Sequence, residues 1–106
     1  MNTQNPIVVT AVFSPKENAR DELVKRLKSA IAEVHAEPGC LLYALHGASD
    51  AVVLIEKWSS EQLLDAHGAG AAVRRLDASI VDLIERPAVV TRMHPIVTGR
   101  EAQGAL

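Results

Sequence analysis

Apolar residues recur along this chain in two rhythms. Ile7-Val8-Val9-Thr10-Ala11-Val12-Phe13, Cys40-Leu41-Leu42-Tyr43-Ala44-Leu45-His46 and Ala51-Val52-Val53-Leu54-Ile55 are short runs, apolar on both alternating faces. Runs of that length predict strands; the first should be covered on both sides, and the third, rich in β-branched residues, buried on at least one face. Between the first two, Ala19, Leu23, Leu27, Ile31 and Val34 recur at helical spacing, the stripe of one long amphipathic helix. Ser14-Pro15-Lys16-Glu17 reads as its start, with a capping hydroxyl, a proline at the first position and a capping-box glutamate. Glu37-Pro38-Gly39 stops it. The charges between Arg20 and Glu33 form its solvated face.

The third strand runs on through Glu56 and Trp58, alternate positions that share a face. Ser59-Ser60-Glu61-Gln62 has the S-x-x-Q form of a capping box, and Leu63, Leu64 and His67 continue at helical spacing. A strand that turns at once into a capped helix delivers Glu56, Trp58 and His67 to one end of the sheet. Gly47-Ala48-Ser49-Asp50 predicts a hairpin turn between strands two and three. After Gly68-Ala69-Gly70, the spacing of Val73, Leu76, Ile80 and Leu83 predicts another helix, ended by Pro87. Ala88–Met93 reads as a fourth strand, with Pro95 marking its end or an edge.

That order predicts an α+β, ferredoxin-like βαββαβ fold, a four-stranded antiparallel sheet with helices on one face. One domain is expected over residues 1–106, with a core at about 7–97. Met1–Asn5 is a polar, frayed start, and 98–106 is a mobile tail or an arm over a partner. Helices cover one face only, yet the strands are apolar on both. The uncovered face predicts a homodimer with sheets packed face to face, and hence a dimeric α/β barrel.

Composition narrows the function. A hydrophobic fraction of 48% suits a packed core, and a net charge of −2 without a basic block argues against nucleic acid. Cys40 is the only cysteine, which excludes an internal disulfide and a thiolate cluster. The apolar runs are too short to span a membrane, and MNTQNP lacks the pattern of a signal peptide, so a cytoplasmic protein is expected. His35, His46 and His94 have no partners at ligand spacing, and no nucleotide or metal motif is visible. No metal and no cofactor are therefore expected.

Each candidate has a plain structural reading beside the functional one. Trp58 packs a small core or lines a pocket; a buried indole N–H needs a partner, which Glu56 or a substrate oxygen can supply. Glu56 pairs with a basic neighbour or faces the pocket. His67 caps a helix end or acts as a base near neutral pH. Tyr43 is an ordinary hairpin residue or part of the pocket rim.

Glu37-Pro38-Gly39-Cys40-Leu41 followed by Tyr43, then Ile55-Glu56-Lys57-Trp58, then Ala66-His67, occur here in one order. That order resembles the antibiotic biosynthesis monooxygenase domain family of dimeric α/β-barrel proteins, across Ile7 to about Val97. The resemblance implies a small dimer with one pocket per subunit, between sheet and helices. It also implies oxidation of a small phenolic or quinol-type substrate by O₂ without metal or flavin. His67 and Trp58 are then the expected catalytic residues, and Glu56, Tyr43 and Thr10 the substrate-binding ones. Thr10 is the only polar side chain on the first strand, where haem-degrading relatives carry an asparagine. Two departures stand out. Many members carry a second histidine after the first, where this chain has Gly68-Ala69-Gly70-Ala71-Ala72. Polyketide-oxidising members have an asparagine on the tryptophan-bearing strand, where Leu54 stands here. The alternative is a non-catalytic dimeric barrel that binds a small hydrophobic ligand or a partner.

Overall fold

A computed structural model describes residues 5–106; of the expected frayed start, Met1–Gln4 lies outside them. The elements are β1 (Ile7–Phe13), α1 (Arg20–Ser29), α2 (Ile31–His35), β2 (Cys40–Gly47), β3 (Val52–Trp58), α3 (Glu61–Gly68), α4 (Ala71–Ile80), β4 (Val89–Met93) and α5 (Glu101–Gly104). The four strands form one antiparallel sheet in the order β2-β3-β1-β4. This is the ferredoxin-like α+β fold.

Strand alternation divides the sheet into two unlike faces. Ile7, Val9, Ala11 and Phe13 of β1 meet Val52, Leu54, Glu56 and Trp58 of β3 in register, and Tyr43 of β2 lies opposite Glu56. Directly paired residues share a face. On this face Leu23, Leu27, Val34, Leu64, Leu76 and Ile80 pack from the helices to close the core. The other face carries Val12, Val53, Ile55, Val89 and Met93; among the described residues, the core helices α1–α4 pack against the first face rather than this one.

Several local expectations are corrected. The Ser14–Glu17 capping box does not form. Pro15 instead bridges Ile84, Lys16 N–H donates to Leu83 O, and Glu85 N–H donates to Ser14 O. Backbone groups bound to the segment before β4 cannot also start a helix. Asn18 then takes a positive φ of 65°, and α1 starts at Arg20. The long stripe is carried by two helices, because Ser29 Oγ bonds back to Arg26 O and the chain bends at Ala30. Leu23, Leu27 and Val34 remain on its buried side.

At α3 the cap is Ser60, whose Oγ accepts from Leu63 N–H at 3.2 Å. Ser59 N–H is engaged elsewhere, donating to Gly39 O at 2.9 Å. α4 ends at Ile80, short of Leu83. A β-bulge between Cys40 and Leu42 leaves Leu41 exposed. The tail 98–106 contains the one-turn helix α5 and brings Leu106 to β3, where Lys57 Nζ donates to its carbonyl.

Candidate active site

The corner where β3 passes into α3 gathers four ring or acid side chains. Glu56 and Trp58 point the same way from β3, and Trp58 Nε1–H donates to Glu56 Oε1 at 3.0 Å. Ser60 starts α3 beside that strand end, so its last turn brings His67 over the indole. The two rings stack with centroids 4.5 Å apart at 30°. Tyr43 meets the imidazole edge-on at 5.6 Å. Glu56 and His67 are the buried polar side chains of the core, at 5% and 7% exposure.

Tyr43 reaches this group because of the Leu41 bulge. Tyr43 stands three positions after Cys40, an odd spacing that in a regular strand would put the two on opposite faces. The extra residue restores both to the helix-covered face, opposite Trp58 and Glu56.

A fifth member was not recognised from sequence. Glu37 Oε1 lies 2.9 Å from His67 Nδ1. Its loop is held against α3 by Gly39, whose φ of +81° turns the chain into β2 and whose missing side chain admits Leu63. Its sequence signals are the Glu-Pro-Gly helix stop and its place in the family-like Glu-Pro-Gly-Cys-Leu segment, neither of which shows that it meets His67. With its proton on Nδ1, His67 donates to Glu37 and keeps a lone pair on Nε2, 3.9 Å from Glu56 Oε1. A carboxylate that orients an imidazole in this way prepares it as a base.

Burial raises the Glu56 carboxyl above its ordinary value; the Trp58 hydrogen bond and His67 oppose that, and Glu37 adds to it. Burial, then the charges of Glu56 and Glu37, pushes the Tyr43 phenol up as well. Cys40 at the β2 start is also raised, first by burial and then by Glu37 and Glu56.

Glu56, His67 and Tyr43 line a cavity of about 190 Å³ between the sheet and α3 and α4. Its apolar walls include Val9, Ala11, Phe13, Leu54, Leu64 and Leu76, and Asp77 and Arg92 add charge. Arg92 Nη1 also reaches Asp65 of α3 at 2.8 Å, tying the edge strand to that helix. Two expected residues are placed differently. Trp58 is fully buried, its N–H bound to Glu56 and one face covered by His67, and it does not line the cavity. Thr10 pairs with Ile55 and Thr91 on the uncovered face, because Val9 takes the site-facing position opposite Glu56. Among the described residues, no group of three or more His, Cys, Asp or Glu is arranged to hold a metal ion, and no helix is long and apolar enough to cross a membrane.

Known proteins resemble this chain in sequence and fold. The "Putative monooxygenase Rv0793" of Mycobacterium tuberculosis is 33% identical over 94 residues, covering 87% of this chain and 93% of that protein. The solved structure of Rv0793 matches with a TM-score of 0.82 at 31% identity, over 90% of this chain and 99% of that one. A Shewanella oneidensis protein matches with a TM-score of 0.79 at 28% identity, over 87% and 92%. A Caulobacter crescentus structure at 23% identity, with a TM-score of 0.78 over 85% and 89%, shares the fold. The family model for antibiotic biosynthesis monooxygenase matches residues 6–78. With that match over most of its length, and a corner built from the Glu-Pro-Gly-Cys-Leu, Glu-x-Trp and Ala-His segments, the chain belongs to the antibiotic biosynthesis monooxygenase family.

Proposed function

We propose that this protein is a monooxygenase that oxidises a small phenolic or quinol-type molecule with O₂, without metal or flavin, and works as a homodimer. The observation that carries the reading is the carboxylate-oriented His67 beside Glu56 at the wall of an apolar cavity. The homodimer is supported by the uncovered sheet face, whose Val89 and Met93 are exposed at 58% and 38%.

The chemistry asks little beyond a dry cavity, a base and a proton store. His67 Nε2 takes the phenolic proton, and Glu37 steadies the imidazolium. The resulting anion passes one electron to O₂. Phenoxyl radical and superoxide recombine into a carbon–oxygen bond, leaving a peroxide anion that takes the proton back. The carbon bearing the peroxide loses its remaining hydrogen as a proton while the O–O bond breaks. A carbonyl forms, and hydroxide leaves as water. Glu56, with its raised carboxyl, suits the second proton transfer. Trp58 acts through its neighbours: it supports the His67 ring and donates to Glu56, so it is a positioning residue.

The test is oxygen uptake against a panel of quinols and phenolic anthrones. His67→Ala should lower turnover by about 10²-fold, the scale for a lost positioned base. Glu37→Gln should lower it less and change its pH profile. The second reading, a barrel that only binds a small hydrophobic ligand, is favoured by the small chamber and the fully engaged Trp58 N–H. Ligand binding without oxygen uptake across the panel would decide for it.

A further inference from the structure

The chamber beside His67 and Glu56 holds about 190 Å³. A dry cavity of roughly 150 Å³ accepts one benzene ring. Ligand sites ordinarily begin near ~300 Å³. The inner chamber therefore has space for a single ring and little more. A second cavity of about 500 Å³ adjoins it, and Phe13, Asp77, Ala88 and Val90 line both. Ile80, Val81, Ile84 and Pro87 extend its apolar wall. Val81 and Val90 stand 66% and 60% exposed there.

We propose that the substrate has two parts, a single phenolic or quinol ring in the inner chamber and an uncharged apolar extension of several carbons in the outer one. This rests on the ring-oxidising reading above and names the class of molecule that the site takes. Continuity of the walls carries the argument: a ring seated against Glu56 and His67 has an apolar way outward past Ala88, a small side chain at the neck that lines both cavities. Polarity supplies the rest. Asp77 at the neck and Glu85 beyond it disfavour an anionic tail, and Arg86 is paired with Glu85 and Ser14. The proposed pairing of protomers leaves this space open. Val90 lies opposite Ala11 on the helix-covered face, whereas the proposed pairing of sheets uses the other face.

The experiment is calorimetric titration of the full chain with phenol and its para-alkyl derivatives up to para-hexylphenol. Transfer of each methylene into an apolar chamber should tighten Kd by roughly fourfold until the chamber is filled. Ala88→Phe, which plugs the neck, should flatten that dependence. Should that variant not fold, Val81→Asp, at an exposed position, should weaken para-hexylphenol relative to phenol by about tenfold or more. Phenol binding with no gain along the series would overturn the inference and leave the ring site standing. A chain-length dependence that survives both variants would also overturn it, because the tail would then lie elsewhere. Failure of every phenol to bind would defeat the ring-site reading, and the inference with it.

Discussion

Gly39 joins the loop that carries Glu37 to the helix that carries His67, and replacing it with alanine tests that joint. Two costs can be read from the backbone. At φ +81° any residue with a Cβ sits in the left-handed region, at about 1–2 kcal/mol. The added Cβ would also stand 2.5 Å from Leu63 Cδ1 and 2.9 Å from both Leu63 Cβ and Ser59 Oγ. The methyl can swing away, but Leu63 Cβ moves only if α3 moves. Such overpacking costs about 1–3 kcal/mol. Together the loss is about 2–5 kcal/mol, a large share of the roughly 5–15 kcal/mol that holds a domain folded. Gly68→Ala is the matched control. It sits in α3 without a positive φ, and its Cβ would meet nothing within 4 Å. There alanine should be neutral or stabilise by up to ~1 kcal/mol through helix propensity. Urea denaturation, followed by Trp58 fluorescence at one fixed protein concentration, measures both. With a slope of about 1–3 kcal/mol/M, Gly39→Ala should drop the midpoint by ~1 M or more. A Gly39→Ala protein within about 0.5 kcal/mol of the parent, or a Gly68→Ala cost equal to it, would refute the reasoning.

Three further outcomes are expected. Because the folded Glu56 carboxyl is raised above its ordinary 4.5, the folded state binds that proton more tightly, and this contribution to stability is lost as pH climbs through the folded value. Glu56→Gln keeps an acceptor for Trp58, so its melting temperature, measured from acid to neutral pH, should fall less with rising pH than the parent's. Tyr43, the only tyrosine, should show no phenolate absorbance until well above its ordinary 10, with ionisation arriving together with alkaline unfolding; a step near the ordinary value in folded protein would contradict its burial. Cys40, half-buried with a raised thiol, should react slowly with iodoacetamide at mildly alkaline pH, and Cys40→Ala should keep oxygen uptake within a few fold; selective loss of activity would point to a thiol mechanism instead.

Periodicity made the sheet and most of the helical stripe legible. Glu56, Trp58 and His67 could be brought to one corner on paper because alternation and a helical turn are local rules. What escaped depends on contacts distant in sequence. Ser14 and Pro15 look like a helix start until Leu83 and Glu85 take up the neighbouring backbone groups. The S-x-x-Q pattern points to Ser59 as the cap, but Ser59 N–H binds Gly39 O and Ser60 caps the helix instead. Glu37 meets His67 across thirty residues, a distance no spacing rule spans. Thr10 stands out on β1 for its polarity, but its pairing with Ile55 assigns it to the face away from the site. For the Trp58 N–H the sequence leaves Glu56 and a substrate oxygen both open, and the structure pairs it with Glu56 while His67 covers the ring.

The bulge at Leu41 acts as a phase shifter between two parts of the chain. On its far side, the pairing of Tyr43–Gly47 with Val52–Glu56 sets the register of the hairpin. On its near side lie Cys40, Gly39 and the Glu37 loop, which must face the helices. Insertions in the exposed turn at Ala48–Asp50 would add slack to a loop and leave both parts in step. Removing Leu41, an exposed residue that touches no site group, would instead invert one part relative to the other. Either Tyr43 would leave the imidazole or Glu37 would. Lengths of related chains should therefore vary freely at that turn and hardly at all between the Glu-Pro-Gly stop and Tyr43.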